Sequence, residues 1–184
     1  MRKSWSVYFL GTVFLLISCG PSTDPKPVKL GPSQIKPQIS QVTKDEVLPF
    51  YIFDSKTKEK RTLTVDDLET MEVVTWKVWD FHENKTIDYT GVVLKDFISK
   101  YLPGKPSEIT MIAYNDYASK FKPHHWTNFN ALIAFKQDGN YLTLENKGPV
   151  RVIFKLDQNA GRIVDGLLPL WIWQVKTIEG HYGD

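Results

Sequence analysis

Apolar and polar positions alternate at two distinct periods along the chain from about residue 47 to its end. Val73-Val74-Thr75-Trp76-Lys77-Val78-Trp79 is rich in β-branched and aromatic residues and predicts a strand. His82-Glu83-Asn84-Lys85 predicts a turn, and Thr86-Ile87-Asp88-Tyr89-Thr90 the return strand. Apolar residues then change to helical spacing at Val93, Phe97, Ile98 and Tyr101, and Pro103-Gly104 ends that helix. A shorter helix is predicted at Val65–Leu68, with Thr64 as its N-cap and Asp66-Asp67 complementing the dipole in its first turn. Further strands are predicted over Glu108–Tyr114, Ala131–Phe135, Tyr141–Leu144, Val150–Phe154 and Leu170–Ile178, with Asn115-Asp116 breaking the first and Asp138-Gly139 marking a hairpin. Many strands with a few short helices predict an α+β domain, built on a mixed sheet or a partial barrel.

Upstream of this pattern lie two segments of different character. Arg2 and Lys3 precede an apolar run, Val7 to Ile17, which is too short to span a bilayer as a mature helix. The run ends in Leu16-Ile17-Ser18-Cys19-Gly20, which resembles a bacterial lipobox. Residues 1–18 then read as a lipoprotein signal peptide, and Cys19 as the acylated first residue, carrying palmitate-type chains. Gly20, rather than an aspartate, follows the cysteine, which by resemblance to enterobacterial sorting favours the outer membrane. The expectation is a periplasm-facing lipoprotein held to the membrane by its lipid. Residues 19–46, opening Gly20-Pro21-Ser22-Thr23-Asp24-Pro25-Lys26-Pro27, have the composition of a flexible tether. At roughly 3 Å per residue it would hold a domain over 47–184 several tens of ångströms from the anchor.

Charge and cysteine usage narrow the chemistry. Removing Arg2 and Lys3 with the signal peptide brings the 23 basic residues level with the 21 acidic ones. A neutral chain without a Lys/Arg cluster argues against nucleic acid as a partner. Cys19 is the only cysteine, so disulfides, thiolate nucleophiles and thiolate metal ligands are excluded from the domain. His124-His125 has poor chelate spacing and reads as surface loop, and His82 and His181 also read as loop residues. No phosphate loop, nucleophile elbow or Ser/His/Asp spacing stands out.

The order of the segments carries a resemblance. Leu63-Thr64-Val65-Asp66-Asp67-Leu68 is followed by a strand and then by Tyr89-Thr90-Gly91-Val92-Val93-Leu94 with its helix. Ala113-Tyr114-Asn115-Asp116-Tyr117, Leu132-Ile133-Ala134-Phe135 with Asp138-Gly139, Lys147-Gly148-Pro149-Val150-Arg151-Val152-Ile153 and Trp171–Ile178 complete it. Over about residues 48–180 this resembles the oxidoreductase molybdopterin-binding domain, the fold of sulfite oxidase. Enzymes of that family place a molybdenum-ligating cysteine in the region of Val73–Asp80, where this chain has none. Thr, Lys and Trp cannot replace a soft thiolate. Arginines to grip a cofactor phosphate are also few, namely Arg61, Arg151 and Arg162 within the domain.

The resemblance therefore implies no metal as cofactor, and a pocket for a pterin without molybdenum. Small periplasmic members of the family lacking the cysteine resemble pterin-binding proteins, some of which act with membrane receptors controlling cyclic-di-GMP. A pterin needs a stacking ring and a carboxylate or amide to match its donor–acceptor edge. Candidate ligand-binding residues are Tyr114, Asn115, Asp116 and Tyr117 at the strand break, and Trp79 in the segment of the lost cysteine. Arg151 joins them, expected to face away from Val150 and Val152 towards solvent, a partner or a pocket. Trp171 and Trp173, two apart, are expected to share one face of a strand, packed in the core or walling the pocket. The function expected is non-catalytic binding of a pterin-like molecule with relay to a membrane signalling protein. The alternatives are a molybdopterin-dependent oxidoreductase and a ligand-free interaction module.

Overall fold

The computed structural model describes residues 42–156, 159 and 162–183, all within one compact unit spanning Ile39–Asp184. Residues 1–18, read as a signal peptide, Cys19 and all but the end of the segment read as tether lie outside the described residues. Among the described residues, no helix is long and apolar enough to cross a membrane.

Two five-stranded sheets make the domain. The first has the order β2-β1-β10-β5-β6, formed by β1 (Phe50–Asp54), β2 (Lys60–Leu63), β5 (Glu108–Ala113), β6 (Ala118–Phe121) and β10 (Val175–His181). Only β1 and β10 pair in parallel there, Tyr51 opposite Thr177 and Ile52 opposite Ile178. The second runs β3-β4-β7-β8, with β3 (Val73–Asp80), β4 (Lys85–Val93), β7 (Ala131–Gln137) and β8 (Asn140–Tyr141). β9 (Arg151–Phe154) adds to β7 beyond that path, pairing Ile133 with Val152. The architecture is mixed α+β and mostly strand, as the alternation implied.

Burial follows the pleat. Ile109, Met111 and Ala113 of β5 point inward, as do Ile52 of β1 and Val175 and Ile178 of β10. All five residues Ala131–Phe135 of β7 are buried, because β7 has neighbours on both edges and cover on both faces. Helix α1 (Val65–Glu69) starts with a capping box between Thr64 and Asp67. Helix α2 (Leu94–Tyr101) buries Leu94, Phe97 and Ile98 at helical spacing, and the Phe97 and Tyr101 rings lie 5.0 Å apart. Its expected first turn, Val92-Val93, belongs to β4 instead.

The described chain begins with a short 3-10 turn, Lys44–Glu46, inside the segment read as tether. Lys44 is paired there with Asp66 and Glu69. Burial opposes ionisation of Glu69, but hydrogen bonds from Lys44, Tyr141 and Lys136 hold its carboxyl at about 2.

Three expectations need correction. The strand over 170–178 begins only at Val175, because Leu168–Leu170 coils into a 3-10 turn around Pro169 and Gln174 adopts φ 54°. The strand Tyr141–Leu144 shortens to β8, and Leu144–Asn146 turns away under a capping box from Thr143. His124-His125 is not in a surface loop: it lies in the short helix α3 (Pro123–Thr127), started by a proline at its first position. A further strand, β6, was not expected: its four residues bury Ser119 and Phe121 at period 2.

Candidate functional site

A cavity of about 540 Å³ opens where the end of β5, the turn after β3 and the chain between β9 and β10 meet. Each wall is set by local chemistry. The β5–β6 connection is a tight hairpin in which Ala113 N–H donates to Tyr117 O at 2.9 Å. Asn115 Oδ1 accepts the Tyr117 N–H at 3.2 Å, and Asp116 takes φ 64°, a conformation Asp tolerates. The hairpin thereby directs Asn115 and Tyr117 to the cavity, and neither Tyr114 nor Asp116 lines it.

The opposite wall comes from the segment after helix α4 (Arg162–Leu167). Pro169 O accepts hydrogen bonds from Tyr117 Oη (2.9 Å) and Ser119 Oγ (2.6 Å), which fastens this segment to β6. The chain then crosses between strands on single bonds. Val152 N–H donates to Ile172 O (2.8 Å) and Tyr114 N–H to Gln174 O (2.9 Å). Trp171 and Trp173 therefore sit on a crossing segment, not on one face of a strand. Trp171 is 1% exposed and Trp173 half-buried, and both line the cavity.

The third wall is His82, read from sequence as an ordinary loop residue. Asp80 Oδ1 accepts the backbone N–H groups of His82 (2.8 Å) and Glu83 (3.0 Å), fixing the turn after β3. The imidazole is thereby set against two indoles, 5.8 Å from Trp171 and 5.3 Å edge-on to Trp173. Burial lowers the His82 pKa; Asp80 acts against this, and Arg151 and Lys147 reinforce it. His82 is thus neutral at physiological pH. Lys147, paired with Glu83, stands 5.7 Å over the Trp173 ring at the edge of this wall.

Behind the His82 turn lies a fully buried polar cluster. Arg151 is 0% exposed, donating through Nη1 to Tyr89 Oη (2.9 Å) and through Nη2 to Asp80 Oδ2 (3.1 Å). Tyr89 Oη in turn donates to Asp80 Oδ2 at 2.6 Å. Burial pushes the Tyr89 phenol above its ordinary range, with the bond to Asp80 adding to the shift and Arg151 opposing it. The expectation that Arg151 faces solvent, a partner or a pocket is corrected. Every residue of β9 is buried, so alternation does not carry Arg151 outward, and its charge is met inside by Asp80. Trp79 stands on the face of β3 opposite Asp80 and Val78, outside the cavity lining.

Of the residues singled out from sequence, the cavity brings together Asn115, Tyr117, Trp171 and Trp173. It leaves out Trp79, Tyr114, Asp116 and Arg151. Sequence reasoning missed His82, Asp165, Leu168 and Pro169. The signal available for His82 was Asp80, two residues earlier, at the spacing of a side chain that folds a turn over itself.

The donor set does not fit molybdenum. Its thiolate would have to come from Cys19, the only cysteine of the chain and outside the described residues, and β3 carries none. Among the described residues, no group of three or more His, Cys, Asp or Glu could hold a metal ion.

No family model matches the sequence, and no curated protein matches it. The structure does have a likeness among solved structures. The sulfane dehydrogenase SoxCD from Paracoccus pantotrophus superposes with a TM-score of 0.53 at 12% identity, over 78% of this chain. The chain spans 40% of that protein's length. The fold of this chain is thus distantly like that of part of the sulfane dehydrogenase. The neighbour is named as an enzyme, and at this identity the likeness concerns the fold alone.

Proposed function

We propose that this chain is a periplasm-facing lipoprotein that binds a pterin-like molecule without turning it over. The observation that carries the reading is the cavity walled by His82, Tyr117, Trp171 and Trp173. Three kinds of ring surround about 540 Å³, with Asn115 as an amide in the lining. That volume lies in the range of small-molecule sites, and flat aromatic walls with few polar groups select a flat heteroaromatic. The distant molybdopterin-binding-like fold supports the same ligand class, and the missing thiolate argues against the metal-dependent oxidoreductase. Binding would be relayed to a membrane receptor, of the cyclic-di-GMP type that the sequence resemblance implies. The lipid anchor at Cys19, with sorting to the outer membrane, would keep the domain within reach of a membrane partner.

The test is titration of the full chain, purified in detergent, with a reduced and an oxidised pterin by calorimetry and fluorescence quenching. Affinity in the micromolar range, about −8 kcal/mol, is the expected result. Absence of heat and quenching at those concentrations rejects pterin binding and leaves the ligand-free interaction module. Elemental analysis showing about one molybdenum per chain would instead establish the oxidoreductase. Labelling with palmitate, lost on Cys19→Ser, tests the anchor.

A further inference from the structure

A second cavity, of about 480 Å³, lies where α2, the chain that follows it and α3 meet, and it shares no lining residue with the first. Lys95, Ile98, Ser99 and Leu102 recur at helical spacing, so α2 and its C-cap present one face to it. Ile98, Leu102, Pro106 and Trp126 are buried and make its apolar wall. Three donor groups in the lining are unanswered. Trp126 is 8% exposed, and its indole N–H meets no acceptor among the described residues. Unlike Arg151 Nε and Trp171 Nε1, that unpaired donor is not sealed from the surface. Lys95 and Lys105 are exposed, and neither ammonium has an ion pair or hydrogen bond among the described residues. No Asp or Glu lines the cavity. Asp96 adjoins Lys95 on a helix, where successive residues do not face each other, and Glu108 is taken by Lys120 and Lys122. The Ser99 and Thr127 hydroxyls donate within their own helices, to Lys95 O (2.9 Å) and Pro123 O (3.0 Å).

We infer that this second cavity binds an organic monocarboxylate with an apolar body, its carboxylate accepting from Trp126 Nε1–H in the field of Lys95 and Lys105. An indole N–H this far buried usually has a partner, because an unmet donor leaves its desolvation uncompensated. A ligand oxygen supplies the missing acceptor. Two unpaired ammonium groups with no acid in the lining make the cavity electropositive, so an anionic acceptor is favoured over a neutral one. The apolar wall selects the rest of the molecule, since a small inorganic anion would leave Ile98, Leu102 and Pro106 uncovered. An amine of the same shape offers Trp126 no acceptor and meets like charge. The volume lies in the range of small-molecule sites. The inference goes beyond the pterin reading and stands without it, because the two cavities have no residue in common.

The experiment uses the ¹⁵N-labelled full chain in detergent, with 3-phenylpropionate, 3-phenylpropanol, 3-phenylpropylamine and acetate as probes. The chain's six tryptophans give separate indole N–H signals, and Trp126→Phe assigns the relevant one. The expected result is a saturable downfield shift of the Trp126 indole proton with 3-phenylpropionate, at millimolar affinity or tighter. The acid should bind about tenfold or more tighter than the alcohol, the scale of a charge-assisted hydrogen bond. Acetate and the amine should leave the signal in place. Lys95→Gln combined with Lys105→Gln, both exposed changes, should erase the preference for the acid while binding of the alcohol stays level. Trp173→Ala, which alters only the first cavity, should leave the titration unchanged. Calorimetry reads the lysine variant even where Trp126→Phe does not fold. No binding of the acid, shifts confined to Trp171 and Trp173, or equal affinity for acid and alcohol overturns the inference. So does a preference that survives the double lysine change, or acetate binding as tightly as the larger acid, which means an adventitious ion only.

Discussion

Asp80 and Arg151 are each 0% exposed, so their pairing can be weighed by what each removal leaves behind. Asp80→Ala strands the guanidinium. Its Nε already lacks a partner, and only Tyr89 remains, through Oη at 2.9 Å and the ring at 5.0 Å from Cζ. Removing one partner of a buried pair costs about 3–5 kcal/mol. Arg151→Met leaves Asp80 with three donors, Tyr89 Oη at 2.6 Å and the backbone N–H groups of His82 and Glu83. Its charge stays locally solvated, and the cost falls to about 2 kcal/mol, one charge-assisted hydrogen bond. The two single changes should therefore be unequal, Asp80→Ala the worse.

The double variant carries neither charge. It should cost about as much as Asp80→Ala alone, which is a coupling of about 2 kcal/mol. At about 4 °C per kcal/mol for a domain of this size, Asp80→Ala lowers Tm by about 12–20 °C. Urea and thermal unfolding followed by tryptophan fluorescence read all three variants, with Trp171 beside the His82 turn as reporter. Equal costs for the two single variants, or strict additivity in the double, would refute the reasoning. Either result would mean that solvent reaches the pair or that the turn is held by something other than Asp80.

Other predictions follow from single contacts. Burial depresses the His82 pKa, so between the unfolded value of about 6.5 and the lower folded value the unfolded state binds more protons. Stability therefore falls as pH drops through that window. His82→Gln should flatten the loss in a pH series of urea midpoints; His125→Gln, also depressed by burial, is the comparison that apportions the slope. Gly91 sits at the register shift between β4 and β7, and a Cβ there would meet Ile133 O at 2.1 Å. Gly91→Ala should cost about 3 kcal/mol by overpacking against backbone that cannot yield, measured by the same unfolding curves. Trp173→Ala should weaken pterin binding at least tenfold by calorimetry, and Trp79→Ala should leave it unchanged, because of these two only Trp173 lines the cavity.

The period-2 and period-3.6 patterns were enough for β3, β4, β5 and α2, because one face of each is more buried than the other, and β7 was legible as a short continuous apolar run. They failed where tertiary bonds override alternation. Trp171-Ile172-Trp173 has the composition of a strand, yet it is held as a crossing segment by single bonds to β9 and from Tyr114. Nothing local distinguishes that arrangement from a ladder. β6 is too short to show a period, and its role in fastening Pro169 depends on two side chains fifty or so residues away in sequence.

The site was legible by residue type and illegible by direction. Aromatic residues and an Asn at a strand break were recognisable as the chemistry a flat ligand needs, and half of them converge. Arg151 shows why the other half does not. Alternation says that neighbours on a strand face opposite ways, but it cannot say that both faces are covered. On β9 they are, so the one arginine offered to a ligand is answered internally by Asp80 and Tyr89. That internal answer still serves the site. The carboxylate that neutralises Arg151 also folds the turn presenting His82, so the buried charge acts on the cavity through the backbone. The consequence separates two roles in one measurement. A conservative Asp80→Asn keeps a side-chain oxygen for the turn and removes the charge. It should lose stability while retaining pterin affinity, whereas Asp80→Ala loses both. If Asp80→Asn abolished binding in a chain that remains folded at the assay temperature, the charge itself would have to reach the ligand, and the positioning argument would fall.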